Sequence, residues 1–200
     1  MHRIAKSLSE YSLAKHWINP DDQEWCIYAI ETKLLSIVFF FAMAVLALIL
    51  NAIPQTSIFT LTFYNLRRRI GGYHAPHAWV CLLISICVMF CITHLIGPAL
   101  EQIPYGTVIA IDILALTTAM VKKPVYPPQT QFNNAVVTAN NRRKNVILFI
   151  IAIVQFVCFR FYPYVLVYSF LAVLTGLISV YIELFRQMIM EGYDEKVRIS

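Results

Sequence analysis

PQTSIFTLTFYNLRRRIGGYHAPHAWVC, residues 54–81, carries the reading on which the fold turns. Its first part, residues 54–66, is apolar but short: about 13 residues give roughly 20 Å of helix, against a bilayer core of about 30 Å. Whether this piece crosses a membrane decides how often the chain does so, and on which side the rest lies. Charge placement answers, because Lys and Arg gather on the cytoplasmic flanks of spans. If residues 54–66 cross, the side bearing Arg67, Arg68 and Arg69 also bears Arg3, Lys6, Lys15, Lys33, Lys122, Lys123, Arg142, Arg143, Lys144, Arg186, Lys196 and Arg198, and only Arg160 falls elsewhere. If they do not cross, the N-terminal cations move to the opposite face. The reading is an all-α integral membrane protein with about six transmembrane helices and both termini cytoplasmic. One span is short enough to thin the bilayer locally.

The remaining sequence has the composition this architecture needs. Of 200 residues, 59% are hydrophobic and 14% charged, which is not the balance of a soluble domain. Longer apolar blocks occupy residues 34–53, 79–96, 105–121, 146–161 and 165–185, the last two separated by Tyr162-Pro163. Residues 1–33 mix charges with scattered apolar positions and lack an apolar core of signal-peptide length. Within them Ile4, Leu8, Tyr11, Leu13 and Trp17 suit one stripe of an interfacial amphipathic helix. The expected organisation is an N-terminal cytoplasmic or interfacial helix over 1–33, a six-span membrane domain over 34–185, and a cytoplasmic tail over 186–200. Two cytoplasmic loops interrupt the membrane domain, at 67–81 and 122–145, and there is no internal repeat. A multi-pass protein of the cell membrane needs the lipid bilayer as partner; neither a nucleic acid nor a cofactor is expected.

The first loop carries candidate chemistry. His74 stands seven positions before Cys81, and on an unbroken helix that spacing separates them by about 10 Å, too far for a hydrogen bond. Pro76 changes this by breaking the helix and biasing Ala75 to extended angles, so His74 falls on a loop before the span. Gly71-Gly72 lets that loop turn back toward the first helical turns, where Cys81 projects. A helix N-terminus, an imidazole and an arginine cluster all suit a thiolate nucleophile with a paired base. Alternatives stay open. His74, His77 and Cys81 have spacing compatible with zinc, and span cysteines are often small hydrophobes. The five cysteines, Cys26, Cys81, Cys87, Cys91 and Cys158, form no C-x-x-C pair and no expected disulfide framework.

In the two loops every charged residue is Lys or Arg, a face that attracts acidic peptides and anionic headgroups. Pro124, Pro127 and Pro128 stiffen the start of the second loop. Asp112 lies within the span at 105–121, where a carboxylate is costly and usually functional. Its expected partner is His94, an Asn or backbone, ahead of His74. Asp112, His94 and Gly176 are also the points that a small peptide transporter or exporter would use to line a path.

The string Leu66-Arg67-Arg68-x-x-Gly71-Gly72-Tyr73-His74-Ala75, with Cys81 beyond it, resembles the signature of the AgrB family, the accessory gene regulator membrane cysteine endopeptidases of Gram-positive quorum sensing. The likeness extends to chain length, the polar N-terminal helix, six spans and the basic, proline-containing loop. It implies a thiol protease of the cell membrane acting on an AgrD-type propeptide with an acidic C-terminal tail. Cys81 would be the nucleophile and His74 its base, with an acyl-thioester on Cys81 resolving to a thiolactone or lactone. The resemblance further implies that Arg67 or Arg68, Gly71, Gly72, Lys122 and Lys123 support processing, and that the protein is a homodimer.

Overall fold

A computed structural model describes residues 2–15, 17–73, 78–126 and 133–199, and its named elements are all helical. Among the described residues the strand-like feature is one isolated bridge, Gly71 to Val125. The chain divides into two compact units, Met1–Leu46 and Ala47–Ser200.

In the first unit, α1 (His2–Ala14) leaves Ile4, Leu8 and Tyr11 exposed at helical spacing, while Leu13 is half-buried and Trp17, expected on the same stripe, lies beyond the end of the helix. Tyr11 meets Trp17 edge-on, ring centroids 6.0 Å apart. Asn19-Pro20 ends this region with a short 3₁₀ turn, Pro20–Asp22, before α2 (Gln23–Ile49) begins. The Ser9 hydroxyl donates to the Gln23 carbonyl at 3.4 Å, tying α1 to the start of α2. The helix of α2 thus starts well before the apolar block at 34, because backbone hydrogen bonding does not stop where hydropathy falls.

The second unit contains α3 (Ile53–Ile70), α4 (Ala78–Cys91), a π-helical turn (Ile92–Ile96), α5 (Gly97–Glu101), α6 (Tyr105–Val121), α7 (Asn134–Cys158) and α8 (Pro163–Ile199). Prolines mark several starts: Pro54 opens α3, Pro98 lies in the first turn of α5 and Pro163 is the first residue of α8, where a missing N–H costs nothing. α8 is the hub, packing on α3, α5, α6 and α7 with Val165–Val173 buried residue after residue. Between helices in lipid, close packing and hydrogen bonds take over from water exclusion. At Gly97 the approach to α8 is so close that a Cβ would come within 2.5 Å of the Tyr168 hydroxyl.

Among the described residues three stretches are long and apolar enough to cross a membrane, Ala29–Ile49, Trp79–Glu101 and Pro163–Met190, and Tyr105–Val121 is a shorter apolar helix. α6 keeps the bounds expected from sequence. Three other expectations need correcting. The span expected to end at 96 runs on through the π turn to Glu101. α3 continues to Ile70, so the arginine triplet forms a helical last turn rather than a loop. α7 begins at Asn134, which puts Arg142, Arg143 and Lys144 on a helix and shortens the basic loop expected over 122–145. α8 continues to Ile199, so the tail expected at 186–200 is helical. In α3, α7 and α8 polar residues extend a helix beyond its apolar block, favoured in α3 by cations at the negative end of the helix dipole.

Candidate functional site

The three arginines do three different things. Successive residues of a helix project about 100° apart, so adjacent side chains must leave on different sides. Arg67 turns inward: its guanidinium donates to the Gly71 and Tyr73 carbonyls, clasping the loop that follows its own helix. Arg68 is exposed and lies over the Tyr64 ring, 5.5 Å from the centroid. Arg69 donates to Asn140 Oδ1 at 3.0 Å, linking α3 to α7. Burial lowers the Arg67 pKa from the ordinary guanidinium value, while the nearby Cys81 and Glu183 oppose that shift. Of the two arginines the resemblance offers, Arg67 is the one built into the loop.

Gly71 and Gly72 meet a backbone demand that other residues do not. Their φ angles are +75° and +100°. Both are buried, and a Cβ on Gly71 would lie 1.9 Å from the Val125 carbonyl oxygen. This crowding is the price of pairing two loops. Val125 N–H donates to Ile70 O at 2.9 Å and Gly72 N–H to Val125 O at 2.7 Å. Tyr73 N–H then donates to Ser179 O of α8 at 3.0 Å. The chain arriving at His74 is therefore held by α3, α8 and the second loop at once.

The second loop is anchored as firmly. The Lys144 ammonium is buried and donates to the Met120 carbonyl at 3.1 Å and to the Lys122 carbonyl, closing the C-terminal end of α6. That site suits a cation, being rich in unpaired helix carbonyls. Burial still pushes the Lys144 pKa down to about 8. Tyr126 adds a second anchor: its hydroxyl donates to Arg69 O at 3.0 Å and accepts from Asn140 at 2.9 Å, while its carbonyl accepts from Gln187 at 3.0 Å. Burial raises the Tyr126 pKa, with Asn140 and Arg69 opposing. Lys122 is half-buried, its ammonium 5.1 Å from the Tyr181 ring centroid, whereas Lys123 is exposed.

Cys81 is the fourth residue of α4, half-buried and free, within electrostatic reach of Arg67. His74 and His77 lie outside the described residues, as do Pro127 and Pro128. Asp112 is buried and accepts from Gln155 at 3.3 Å; Gln155 also donates to Ser169 at 2.9 Å. Its partner is thus Gln155 of α7 rather than the His94, Asn or backbone group expected from sequence; His94 is exposed and sits edge-on to Phe90 at 5.0 Å. Gly176, offered as a point on a transport path, is buried with Leu66 3.3 Å from its Cβ position.

Sequence reasoning passed over Glu183. It is fully buried on α8, accepts from Gln187 at 3.1 Å, and its other oxygen lies 3.6 Å from Arg186. Among the described residues that oxygen accepts no hydrogen bond, so its charge is balanced by Arg186 and Arg67 through space. An ionisable residue inside an apolar run was the available signal. Arg186 also lies over the Tyr73 ring, 5.9 Å from its centroid, drawing α8 further into the loop assembly.

Apolar helices of membrane length, with a clasped glycine loop and a cation-rich second loop at the end of α3, define an all-helical membrane protein with a built polar site. The family model described as accessory gene regulator B matches residues 1–187, and the chain belongs to that family. No curated protein and no solved structure matches it. Membership makes it a membrane protein with a role in processing the propeptide of the accessory gene regulator system, acting on an AgrD-type propeptide.

Proposed function

We propose that this chain is a membrane cysteine endopeptidase in which Cys81 is the nucleophile and His74 its general base. The observation that carries the reading is the position of Arg67. One guanidinium both holds the Tyr73 carbonyl, which is peptide-bonded to His74, and lies within electrostatic reach of Cys81. A single side chain therefore ties the backbone before the histidine to the neighbourhood of the thiol. Cys81 also sits in the first turn and a half of α4, where the helix dipole favours an anion.

In this mechanism His74 takes the Cys81 proton as sulfur attacks the scissile carbonyl. The tetrahedral intermediate collapses with C–N cleavage, and the imidazolium gives its proton to the departing amine of the acidic tail. The peptide core stays on Cys81 as a thioester. An internal thiol or hydroxyl of the peptide then attacks that carbonyl, closing a thiolactone or lactone and releasing the Cys81 thiol. Lys122 and Lys123 border the second loop and supply positive charge for the acidic tail. The proposed topology has six spans with both termini and the basic face cytoplasmic. In it α3 and α6 are the short ones, since their 18 and 17 residues give about 27 and 25 Å of helix.

Cleavage of a co-expressed propeptide, followed by mass, tests this. Cys81→Ser, Cys81→Ala and His74→Ala are each expected to abolish tail release, and His77→Ala only to weaken it. Full activity in Cys81→Ala would sink the nucleophile assignment.

A further inference from the structure

We propose that the groove between the last turn of α3 and the N-terminal half of α7 binds the headgroup of an anionic phospholipid. The groove measures about 700 Å³ and is lined by Arg69, Thr138, Arg142, Arg143, Val146 and Ile147 among others. Among the described residues no carboxylate lines it, so three guanidinium groups face one space without a described counter-charge in the wall. Arg69 is not a free surface arginine: Asn140 accepts from it at 3.0 Å and fixes its direction. Arg142 and Arg143 are exposed and able to close on a phosphate.

The apolar end distinguishes a lipid from an acidic peptide. Val146 stands one helical turn beyond Arg142, about 6 Å along the axis. From there the exposed surface of α7 continues through Phe149, Ile150, Ile153, Val154, Phe156 and Val157. A ligand lying along this path needs an anionic head and a long apolar tail, in that order. A tail of carboxylates would meet arginines at one end and bare Val and Phe at the other. Cation-lined pockets at the edge of membrane helices recognise lipid headgroups by this combination of charge and depth. The groove shares neither Cys81 nor the Gly71–Tyr73 clasp, so it stands whether or not the peptidase reading holds.

Native mass spectrometry of the full chain in detergent micelles, with phosphatidylglycerol or phosphatidylcholine added, is the direct test. The wild-type chain and Arg160→Gln, whose cation lies outside the basic face, are expected to retain phosphatidylglycerol in preference to phosphatidylcholine. The double variant Arg142→Gln/Arg143→Gln is expected to lose about tenfold of that retention. Ala139→Glu, an exposed position in the same groove, places a carboxylate among the arginines and is expected to act in the same direction. Circular dichroism on each variant checks that the helices persist. Equal retention of the two lipids by wild type, or undiminished phosphatidylglycerol on both variants, overturns the proposal. So does a double variant that keeps the lipid but no longer binds a short oligoglutamate peptide, which would assign the groove to acidic chains.

Discussion

Replacing Gly72 by alanine should unclasp the loop while leaving the helices standing. At φ +100° a residue with a Cβ is strained whatever surrounds it, at a cost of about 1–3 kcal/mol. The added carbon would also lie 2.3 Å from Arg67 Nη1, 2.9 Å from Ser179 Oγ and 3.0 Å from the Ser179 carbonyl carbon. Ser179 is in the middle of α8 and its backbone has nowhere to go. Arg67 is long enough to move, but its ends are bonded to Gly71 O and Tyr73 O, and each such charged bond contributes about 1.5–3 kcal/mol. The cheapest response is release of the loop, at about 3 kcal/mol against a wild-type reference. The amides of Gly72 and Tyr73, now bonded to Val125 O and Ser179 O, should then exchange with solvent roughly a hundredfold faster. Hydrogen exchange read by mass spectrometry on fragments covering 66–73 measures this, alongside propeptide cleavage, which should fall in parallel. Gly106→Ala is the control, since a Cβ there meets nothing within 4 Å and the position is helical. If Gly72→Ala shows wild-type exchange and wild-type processing, the clasp has been misread.

Three further outcomes follow from the same contacts. Glu183→Ala, which leaves Arg67 beside an uncompensated buried site, should destabilise by roughly 2–4 kcal/mol, whereas Arg186→Ala, removing a half-exposed partner, should cost less than about 1 kcal/mol; thermal unfolding in one detergent ranks the two. Lys144 has a folded pKa near 8, below the unfolded value of about 10.4, so between these limits the unfolded chain holds a proton the folded chain lacks and stability rises with pH; the unfolding temperature of wild type relative to Lys144→Met should climb from pH 8 to pH 10, and a falling difference would contradict the assignment. Asp112→Asn keeps an acceptor for Gln155 and should process propeptide within about threefold of wild type, while Asp112→Ala leaves Gln155 with Ser169 and should cost about 1–3 kcal/mol; inactivity of Asp112→Asn would make the carboxylate charge itself functional.

What the sequence made legible, and what it hid, follows from how each feature is built. The block at 105–121 is bounded by Pro104 on one side and a Lys-Lys-Pro turn on the other, so hydropathy and helix end together in α6. At 134–145 they part company: Asn, Thr and Arg extend α7 by about three turns without adding hydropathy, and a reading by apolar blocks leaves them as loop. The turn after Arg67 was readable because Gly71-Gly72 imposes a local rule, which the structure meets with positive φ at both residues. Which arginine matters was not, since the 100° step that sends Arg67 inward and Arg68 outward depends on where α3 points. Glu183 and Gln187 were hidden for a related reason. A single polar residue in an apolar helix declares that it has a partner without naming it, and here the partners beyond α8 itself are Arg67 of α3 and the Tyr126 carbonyl of the second loop.

The π-helical turn between α4 and α5 works as a phase shifter. Gly97 N–H reaches back five residues to Ile92 O, so one surplus residue is folded into the rod. Each residue is worth about 100° of rotation, and the two ends of the rod are therefore indexed separately. Gly97 can stay tucked beneath Tyr168 while the far end sets the azimuth of Cys81 to suit the loop. Deleting one residue from 92–96 would restore an ordinary helix and couple the two settings. Either the Gly97 contact or the bearing of the thiol would then swing by about a quarter turn, and the chain would have to give up one to keep the other.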